Sequence, residues 1–278
     1  MAAIKLERKQ VNKPWGREKL WPGFDNPSGE KVGEIWFQAP EGTDEPLLIK
    51  YLFTSDRLSI QVHPDDAAAQ AAGYPRGKSE AWVILAAEPD ATIALGTKRV
   101  SSREELRAGA LDGSIVDLLH WQPVKAGEFY YSEAGTVHAI GAGLTIIEIQ
   151  QNVDLTYRLY DYGSDRELHL DAGIAVSDPV PFEKPPIPGD AGDGRFILCE
   201  GDKFVAERWS WAGTRTVDLG ATPGWLTQVA GSSEIDGQPV AAGDCWLIEG
   251  GATVTPGDGS DIVFAYPLKE RADLFSAA

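Results

Sequence analysis

The chain has 278 residues, a length that allows one double-layered β unit or two small packed barrels. It carries 25 basic and 42 acidic residues, and the formal net charge of −17 disfavours nucleic acid and anionic membranes as partners. A hydrophobic content of 43 % argues against disorder, and no apolar run is long enough to span a bilayer.

The N-terminus and the cysteines both bear on the compartment. The first residues carry charges but lack the apolar core of a signal peptide. Cys199 and Cys245 lie in apolar β-type segments, which indicates buried thiols of a reducing compartment rather than a disulfide. We therefore expect a cytoplasmic protein. Its oligomeric state, monomer or homodimer, is not decided by the sequence.

The first strands follow a turn-rich segment in residues 1–30. Residues 33–38 and 47–53 have the composition of strands bounded by Pro, Gly, Thr and Asp turns. Lys50 shares one face of the second of these strands with Leu48 and Leu52. A lysine in that position is either an exposed edge residue or a charge brought inside for a partner.

The next two strands place polar side chains in pairs. Gln61 and His63 are two residues apart in a strand over residues 57–63, so they project from the same face. Pro64 ends this strand, and Asp65 is positioned to cap a short helix that Gly73 closes. Lys78 and Glu80 then share a face at the start of the following strand.

A helical insert precedes a further histidine. Residues 101–120 predict two short helices with serine caps, and His120 at their end has the character of a structural residue beside a helix C-terminus. His138 lies in a turn-bounded β segment. Two imidazoles, a carboxylate and a carboxamide suit Zn²⁺, or less selectively Fe²⁺, Mn²⁺ or Co²⁺. Taken alone, two histidines and a glutamate in a β-rich chain are more often hydrogen-bonded polar groups of a core than metal ligands.

The remaining chain contains one more candidate and one boundary. Arg158 lies on one face of a predicted strand, where the alternative to a functional role is a surface salt bridge with Asp154 or Asp161. Residues 178–195 are rich in Pro and Gly and predict a linker without regular structure. Residues 196–278 repeat the pattern of short strands without any histidine.

Several motifs follow one another in order between Leu47 and Leu170. They are Gln61-Val-His63-Pro-Asp-Asp, Gly77-Lys-Ser-Glu80, Gly135-Thr-Val-His138-Ala-Ile-Gly, Glu148-Ile-Gln-Gln and Asp154-Leu-Thr-Tyr-Arg158-Leu-Tyr-Asp-Tyr. Their order and spacing resemble the short bacterial form of type I mannose-6-phosphate isomerase, a family of the cupin superfamily. One departure is Gly77, which stands where some relatives place a histidine before the lysine.

The resemblance implies a zinc enzyme that interconverts mannose 6-phosphate and fructose 6-phosphate through an enediolate. It implies one Zn²⁺ per chain, held by Gln61, His63, Glu80 and His138. It further implies catalytic roles for Arg158 and Lys78, and substrate binding by Lys50, Lys78, Asp154 and Arg158. His169 also lies in a family-like segment, and we interpret it as structural. Because the whole chain is acidic, a sugar phosphate requires a pocket of opposite sign, with Lys50, Lys78 and Arg158 as its candidate cations.

Two other functions share the same ligand pattern. A metal-dependent cupin oxygenase would use Fe²⁺ and would need no phosphate-binding cations. A non-catalytic sugar-binding cupin would need no proton-transfer group. For either function the fold expectation is the same: an all-β chain with a small helical insert, formed by two packed cupin-like jelly-roll barrels. Residues 1–177 would be the metal-binding unit, 178–195 the linker and 196–278 a degenerate, ligand-free second unit.

Overall fold

A computed structural model describes residues 2–43 and 45–275. The elements before residue 178 are β1 Ala2–Lys5, β2 Glu7–Arg17, β3 Val32–Gln38, β4 Leu47–Phe53, β5 Ile60–Val62, α1 Asp66–Ala71, β6 Glu80–Ala87, β7 Thr92–Thr97, α2 Arg103–Asp112, α3 Ile115–Leu118, β8 Leu119–Pro123, β9 Phe129–Ser132, β10 His138–Ile140, β11 Leu144–Gln151, β12 Tyr157–Tyr160 and α4 Leu170–Val176. The elements after it are β13 Gly189–Gly192, β14 Arg195–Glu200, β15 Val205–Trp209, β16 Arg215–Asp218, β17 Gly224–Ala230, β18 Ser232–Ile235, β19 Gln238–Ala241, β20 Cys245–Glu249, β21 Gly251–Pro256 and β22 Asp261–Tyr266.

The strands form four antiparallel sheets. The first half of the chain supplies a six-stranded sheet, β2-β3-β4-β11-β6-β9, and a five-stranded sheet, β12-β5-β10-β7-β8. The second half supplies most of a seven-stranded sheet, β1-β20-β17-β22-β15-β14-β13, and a four-stranded sheet, β16-β21-β18-β19. All four sheets are open rather than closed into barrels, so each half is a sandwich of two facing sheets.

The sheets and helices stack in layers, each pair separated by an apolar core. Helices α2, α3 and α4 cover the outer face of the five-stranded sheet. The inner face of that sheet packs against the six-stranded sheet. The other face of the six-stranded sheet packs against the seven-stranded sheet, whose far side packs on the four-stranded sheet. The six-stranded sheet is therefore covered on both faces.

Strand β4 lies in this doubly covered sheet, so its residues are buried on both faces. All seven of its residues are buried, although one is a lysine. Ile49, Tyr51 and Phe53 pack toward the second half of the chain, so Lys50 and Leu52 on the opposite face point between the two sheets of the first half. The alternative of an exposed edge position for Lys50 is thus wrong, because both faces of this strand are covered.

The predicted helices are largely confirmed. Asp65 caps α1 through a bond from Ala68 N at 2.8 Å, and Ser102 caps α2 through a bond from Glu105 N at 3.1 Å. His120 lies in β8 rather than at a helix end, because β8 pairs with β7 from Leu119 onward. Helix α4 was not predicted, because its N-cap is His169, a residue type that does not signal a helix start. No described helix has the length and apolarity to cross a membrane.

Two segments differ from expectation at the division between the halves. Strand β1 pairs with β20, so the N-terminal residues extend the seven-stranded sheet rather than the first sandwich. Within residues 178–195 the prediction of irregular structure is wrong for β13, which forms a hairpin with β14. Asp193 and Gly194 join these strands with φ of 55° and 74°. An Asp-Gly pair with both φ values positive is a two-residue hairpin turn.

Both cysteines are confirmed as buried free thiols. Burial raises the pKa of Cys199 and of Cys245 to about 12. A thiol with such a pKa carries almost no thiolate near neutral pH, and the thiolate is the reactive form of cysteine.

Glu45 precedes β4 and gives a pH-dependent prediction. Burial raises the pKa of Glu45 to about 7, against a smaller opposing effect of a backbone hydrogen bond at Ala39. The folded state therefore holds this proton more tightly than the unfolded chain, and stability is lost as the pH rises from about 4.5 through 7. We expect Glu45→Gln to raise the free energy of unfolding by about 1–2 kcal/mol at pH 8 and to change it little at pH 5, measured by urea denaturation. The exposed Glu234→Gln is the control, and an effect of Glu45→Gln that is equal at both pH values would contradict the assignment.

Candidate metal centre and adjoining cavity

Strand pairing brings three predicted site residues together on the five-stranded sheet. Gln61 in β5 lies directly opposite His138 in β10 on one side and opposite Arg158 in β12 on the other. Directly opposed residues in adjacent strands project from the same face. Gln61, His138 and Arg158 therefore form one row on the inner face of this sheet.

The facing six-stranded sheet supplies Glu80 at the start of β6. Its Oε1 lies 3.0 Å from His138 Nε2, and its Oε2 lies 3.5 Å from His63 Nε2 and 3.5 Å from Lys78 Nζ. His63, Glu80 and His138 each offer a ligand atom, and these atoms all lie within 4.8 Å of one another. The predicted convergence of the two imidazoles and the carboxylate is confirmed.

Backbone carbonyl groups orient both imidazoles. The Nδ1 atom of His63 lies 2.9 Å from Leu155 O, and the Nδ1 atom of His138 lies 2.9 Å from Thr136 O. When Nδ1 carries the proton and donates it to a carbonyl, the lone pair is on Nε2. Both Nε2 atoms therefore present their lone pairs toward Glu80, the arrangement in which a histidine can ligate a metal.

The protonation states of this group suit a metal ligand set. Burial, and then the charge of Lys78, lowers the pKa of His63 well below its usual value, so the imidazole is neutral. Burial alone would raise the pKa of Glu80, but Lys78 and the imidazoles outweigh burial and hold that pKa well below normal. The site thus contains a carboxylate and a neutral imidazole, the protonation states in which these groups ligate metals.

The hydrogen bonding of the three residues fits a metal. His63, Glu80 and His138 are each 1 % exposed. Among the described residues, His63 Nε2 and both Glu80 carboxylate oxygens have no hydrogen-bond partner. Ligands about 2.0–2.1 Å from a tetrahedral zinc lie roughly 3.3 Å apart, close to the 3.0 and 3.5 Å between Glu80 and the two imidazoles. The residues present therefore fit a divalent metal.

Gln61 lies beside this group with its amide turned toward His138. Gln61 Nε2 is 3.2 Å from His138 Nε2, and exchange of the amide nitrogen and oxygen would present a carbonyl oxygen to the same space. Its role as a fourth ligand remains a prediction.

A cavity of about 270 Å³ adjoins the metal centre. Every predicted substrate-binding residue lines it, as do five cationic and three anionic side chains: Lys13, Lys50, Lys78, Arg158 and Arg166 against Glu34, Glu148 and Asp154. The cavity therefore has a cationic excess in a chain whose net charge is −17. This is the predicted pocket of opposite sign.

Lys50 is buried in this cavity among acidic groups. Its Nζ lies 3.3 Å from Glu148 Oε2, 3.9 Å from Glu34 Oε2 and 4.8 Å from the centre of the Trp36 ring. Burial acts to lower the pKa of Lys50, but Glu148, Glu34 and Glu80 outweigh it and raise the pKa. Lys50 is thus a permanent cation whose charge is partly balanced by protein carboxylates.

Arg158 donates hydrogen bonds from its backbone N–H group and from a terminal nitrogen of its guanidinium group. Nη1 donates to Glu167 O at 2.6 Å, while Nε is buried and has no hydrogen-bond partner among the described residues. The salt bridge considered with Asp161 does not form, because Arg166 occupies both Asp161 oxygens at 2.7 Å. Arg158 therefore keeps donor capacity at the cavity. His169 Nδ1 accepts from Arg158 N at 3.2 Å, so this side chain fixes the backbone at Arg158.

Several lining residues were not predicted. Glu34, Trp36 and Arg166 lie in strands or loops that carry no recognisable site signal. Gln150 directly faces Glu80 across β11 and β6. Its amide nitrogen donates to Gln151 O at 3.0 Å, which fixes the amide and leaves its buried carbonyl oxygen without a partner among the described residues. Glu148 and Gln150 alternate with Ile147 and Ile149 along β11. This alternation in the sequence indicates that the two polar side chains share one face of the strand.

Comparison with known proteins places this site in a family. No protein-family profile matches the chain. It is 33 % identical over 221 residues to the "probable mannose-6-phosphate isomerase GmuF" of Bacillus subtilis (strain 168), a match covering 74 % of this chain and 68 % of that protein. It is 37 % identical over 211 residues to the mannose-6-phosphate isomerase of Streptococcus mutans, with 62 % and 66 % covered.

Solved structures agree with these sequence matches. The crystal structure of the mannose 6-phosphate isomerase from Bacillus subtilis superposes with a TM-score of 0.82 at 26 % identity, covering 95 % of this chain and 99 % of that one. A zinc-bound mannose 6-phosphate isomerase has the same fold, with a TM-score of 0.71 at 16 % identity and coverage of 96 % and 100 %.

The fold and the buried ligand group define a metal-binding enzyme of the cupin class. Within that class, the chain belongs to the type I mannose-6-phosphate isomerase family, whose members are aldose-ketose isomerases.

The geometry predicts the effect of removing one imidazole. His138→Ala takes away a ligand nitrogen and leaves Glu80 with one imidazole, so we expect loss of bound metal by at least about tenfold in affinity. Metal content after dialysis, measured by inductively coupled plasma mass spectrometry, tests this. His120→Ala is the matched control because His120 is exposed on β8, and equal metal content in the two variants would refute the centre.

Proposed function

We propose that this protein interconverts mannose 6-phosphate and fructose 6-phosphate with one Zn²⁺ per chain, through an enediolate. The observation that carries the proposal is the buried group of His63, Glu80 and His138 beside a cavity with an excess of cations. The names of the relatives support the substrate pair.

The metal ligands proposed are His63, Glu80 and His138, with Gln61 as the fourth. Two imidazoles, a carboxylate and a carboxamide are acceptable zinc ligands, and with all four bound a substrate oxygen would enter as a fifth ligand. A bound Zn²⁺ would act as a Lewis acid toward the substrate oxygens and needs no change of redox state.

Moving the carbonyl group between C1 and C2 creates negative charge on the sugar oxygens, and Arg158 is placed to stabilise it. The guanidinium is anchored at Nη1 by Glu167 O and has a free, buried Nε. A preorganised donor in a site shielded from water is worth far more than the same donor in solution. We assign Arg158 to this stabilisation.

Lys78 is placed between the metal centre and the cavity. Its Nζ lies 3.5 Å from Glu80 Oε2, its side chain lines the cavity, and its exposure is only 6 %. An ammonium group there can donate a proton to a sugar oxygen and recover it, which accounts for the oxygen-bound protons only, because the isomerisation also moves a proton between C1 and C2. We assign proton transfer at the sugar oxygens to Lys78.

The substrate would occupy the cavity beside these residues. Lys50, Lys78 and Arg158 supply positive charge for a phosphorylated sugar, and Asp154, exposed at the rim, can accept from a sugar hydroxyl. Lys50 is already balanced in part by Glu148 and Glu34, so its contribution to phosphate binding depends on the protonation of Glu148. Burial, and then the charge of Glu80, raises the pKa of Glu148.

A substitution at Arg158 tests the assignment. Arg158→Lys keeps the charge but removes the forked donor, and we expect kcat to fall by about 10²-fold with unchanged metal content. The measurement is a coupled assay for fructose 6-phosphate formation from mannose 6-phosphate, with metal content determined on the same samples. Arg208→Lys is the control, because it removes the forked donor of an arginine that pairs with Asp261 in the second half and does not line the cavity.

The wild-type protein separates the alternatives in the same experiment. Zinc with isomerase activity supports the proposal. Iron content with oxygen consumption indicates an oxygenase, and sugar-phosphate binding without turnover indicates a non-catalytic cupin; either result would overturn the proposed function.

A further inference from the structure

A loop of the second half contacts helix α1 and strand β9, which flank the segment that carries Lys78 and Glu80. Lys203 lies in this loop, and its Nζ is 3.0 Å from Asp66 Oδ2 at the start of α1 and 3.0 Å from Asp202 Oδ2. We propose that Lys203 and Asp66 are positioning residues that hold residues 77–80, and hence Lys78 and Glu80, in place for metal binding and turnover. The turnover part rests on the proposed function, whereas the metal-binding part does not.

Asp66 connects Lys203 to the segment before Glu80. While Oδ2 faces Lys203, Oδ1 accepts from Gly77 N at 2.8 Å and from Gln151 Nε2 at 2.9 Å. The same Gln151 side chain accepts from Ser79 N at 2.9 Å through Oε1. Two backbone N–H groups, on either side of Lys78, are thus fixed by a hydrogen-bonded chain that begins at Lys203.

The segment has little freedom to adjust if this chain is broken. A Cβ atom built on Gly77 would lie 2.4 Å from Asp65 C and 2.6 Å from Asp66 N, so the backbones are already in close contact. Lys78 N donates to Pro64 O at 3.0 Å, directly beside His63. A shift of α1 relative to residues 77–80 would therefore move Lys78 and Glu80 relative to His63.

The same loop has a second anchor on the other side of Glu80. Tyr131 OH donates to Asp202 Oδ1 at 2.9 Å, and Tyr131 in β9 pairs with Ala81 in β6. Gly201 lies against the Tyr131 ring so closely that an added Cβ would be 2.4 Å from it. Residues 201–203 therefore contact both neighbours of the Glu80 segment, the α1 side through Lys203 and the β9 side through Asp202.

Lys203 and Asp66 form an ion pair, because Asp66 is ionised. Burial acts to raise the pKa of Asp66, but hydrogen bonds from Gln151 and Gly77 and the charge of Lys203 outweigh it and lower the pKa. Asp66 is thus a carboxylate, and the Lys203 side chain is only 23 % exposed. A partly shielded pair of this kind is screened less by salt than a fully exposed one.

One substitution separates the Lys203 contact from the local ones. Asp66→Asn retains a carbonyl oxygen that can accept from Gly77 and Gln151, but it places an amide N–H group toward Lys203 in place of Oδ2. Lys203→Met removes the charge from the other side with similar length, and Lys203→Arg restores it. Lys5→Met is the matched control, because Lys5 forms an equally short pair, 2.8 Å, with Asp244 away from the site.

Zinc affinity is measured by competition with a chromophoric chelator, together with kcat, KM and the melting temperature of the metal-free protein. We expect Lys203→Met and Asp66→Asn each to weaken zinc binding by about three- to tenfold. Substituting a residue that hydrogen-bonds directly to a metal ligand usually lowers metal affinity by about 10- to 100-fold, and these two residues act one step further away. The double variant should bind zinc no more weakly than the weaker single variant, since both substitutions break the same contact between Lys203 and Asp66. Lys203→Arg should recover wild-type affinity, and kcat should fall more than KM rises.

A structural role alone would give a different pattern. If Lys203→Met lowers the melting temperature as Lys5→Met does, and zinc affinity and kcat stay at the wild-type values, the proposal is wrong. Additive losses in the double variant would also overturn it. Should the wild type lack isomerase activity, the proposed function fails, and the zinc affinities still decide this inference.

Discussion

The site depends on one buried polar contact. Between the two sheets of the first half, the Glu80 carboxylate faces the imidazoles of His63 and His138. Each of the three side chains is 1 % exposed, and His63 Nε2 and both Glu80 carboxylate oxygens have no hydrogen-bond partner among the described residues. Isolated buried charges cost several kcal/mol unless they are paired or coordinate a metal. Lys78 at 3.5 Å compensates only part of this cost, so a divalent cation is the simplest partner that satisfies all three groups.

The layered fold explains how a small β protein can bury such a group. The six-stranded sheet is covered by the second half of the chain on one face, which leaves its other face free to carry polar residues inward. Lys50, Glu80, Glu148 and Gln150 all lie on that inward face. The second half therefore contributes to the site without supplying a ligand, first by covering the central sheet and, in our proposal, by holding the Glu80 segment through Lys203.

The sequence predicted the residues of this site better than their surroundings. Period-two spacing correctly placed the inward side chains within each strand, and motif order named His138 as the distant partner of His63. Spacing within one strand carries no information on which strands pair, so the opposition of Gln150 and Glu80 was not foreseen. The pairing of β1 with β20 spans almost the whole chain and was likewise missed. The β13 hairpin had a local signal, the Asp193-Gly194 turn, that the surrounding prolines obscured.

The most direct test of the account is anomalous diffraction at the zinc absorption edge from crystals of the purified, active protein. We predict one strong peak within about 2.0–2.2 Å of His63 Nε2, His138 Nε2 and a Glu80 carboxylate oxygen. An active protein with no peak at that position, or with its peak at other residues, would contradict the claim that this buried contact exists to bind a metal.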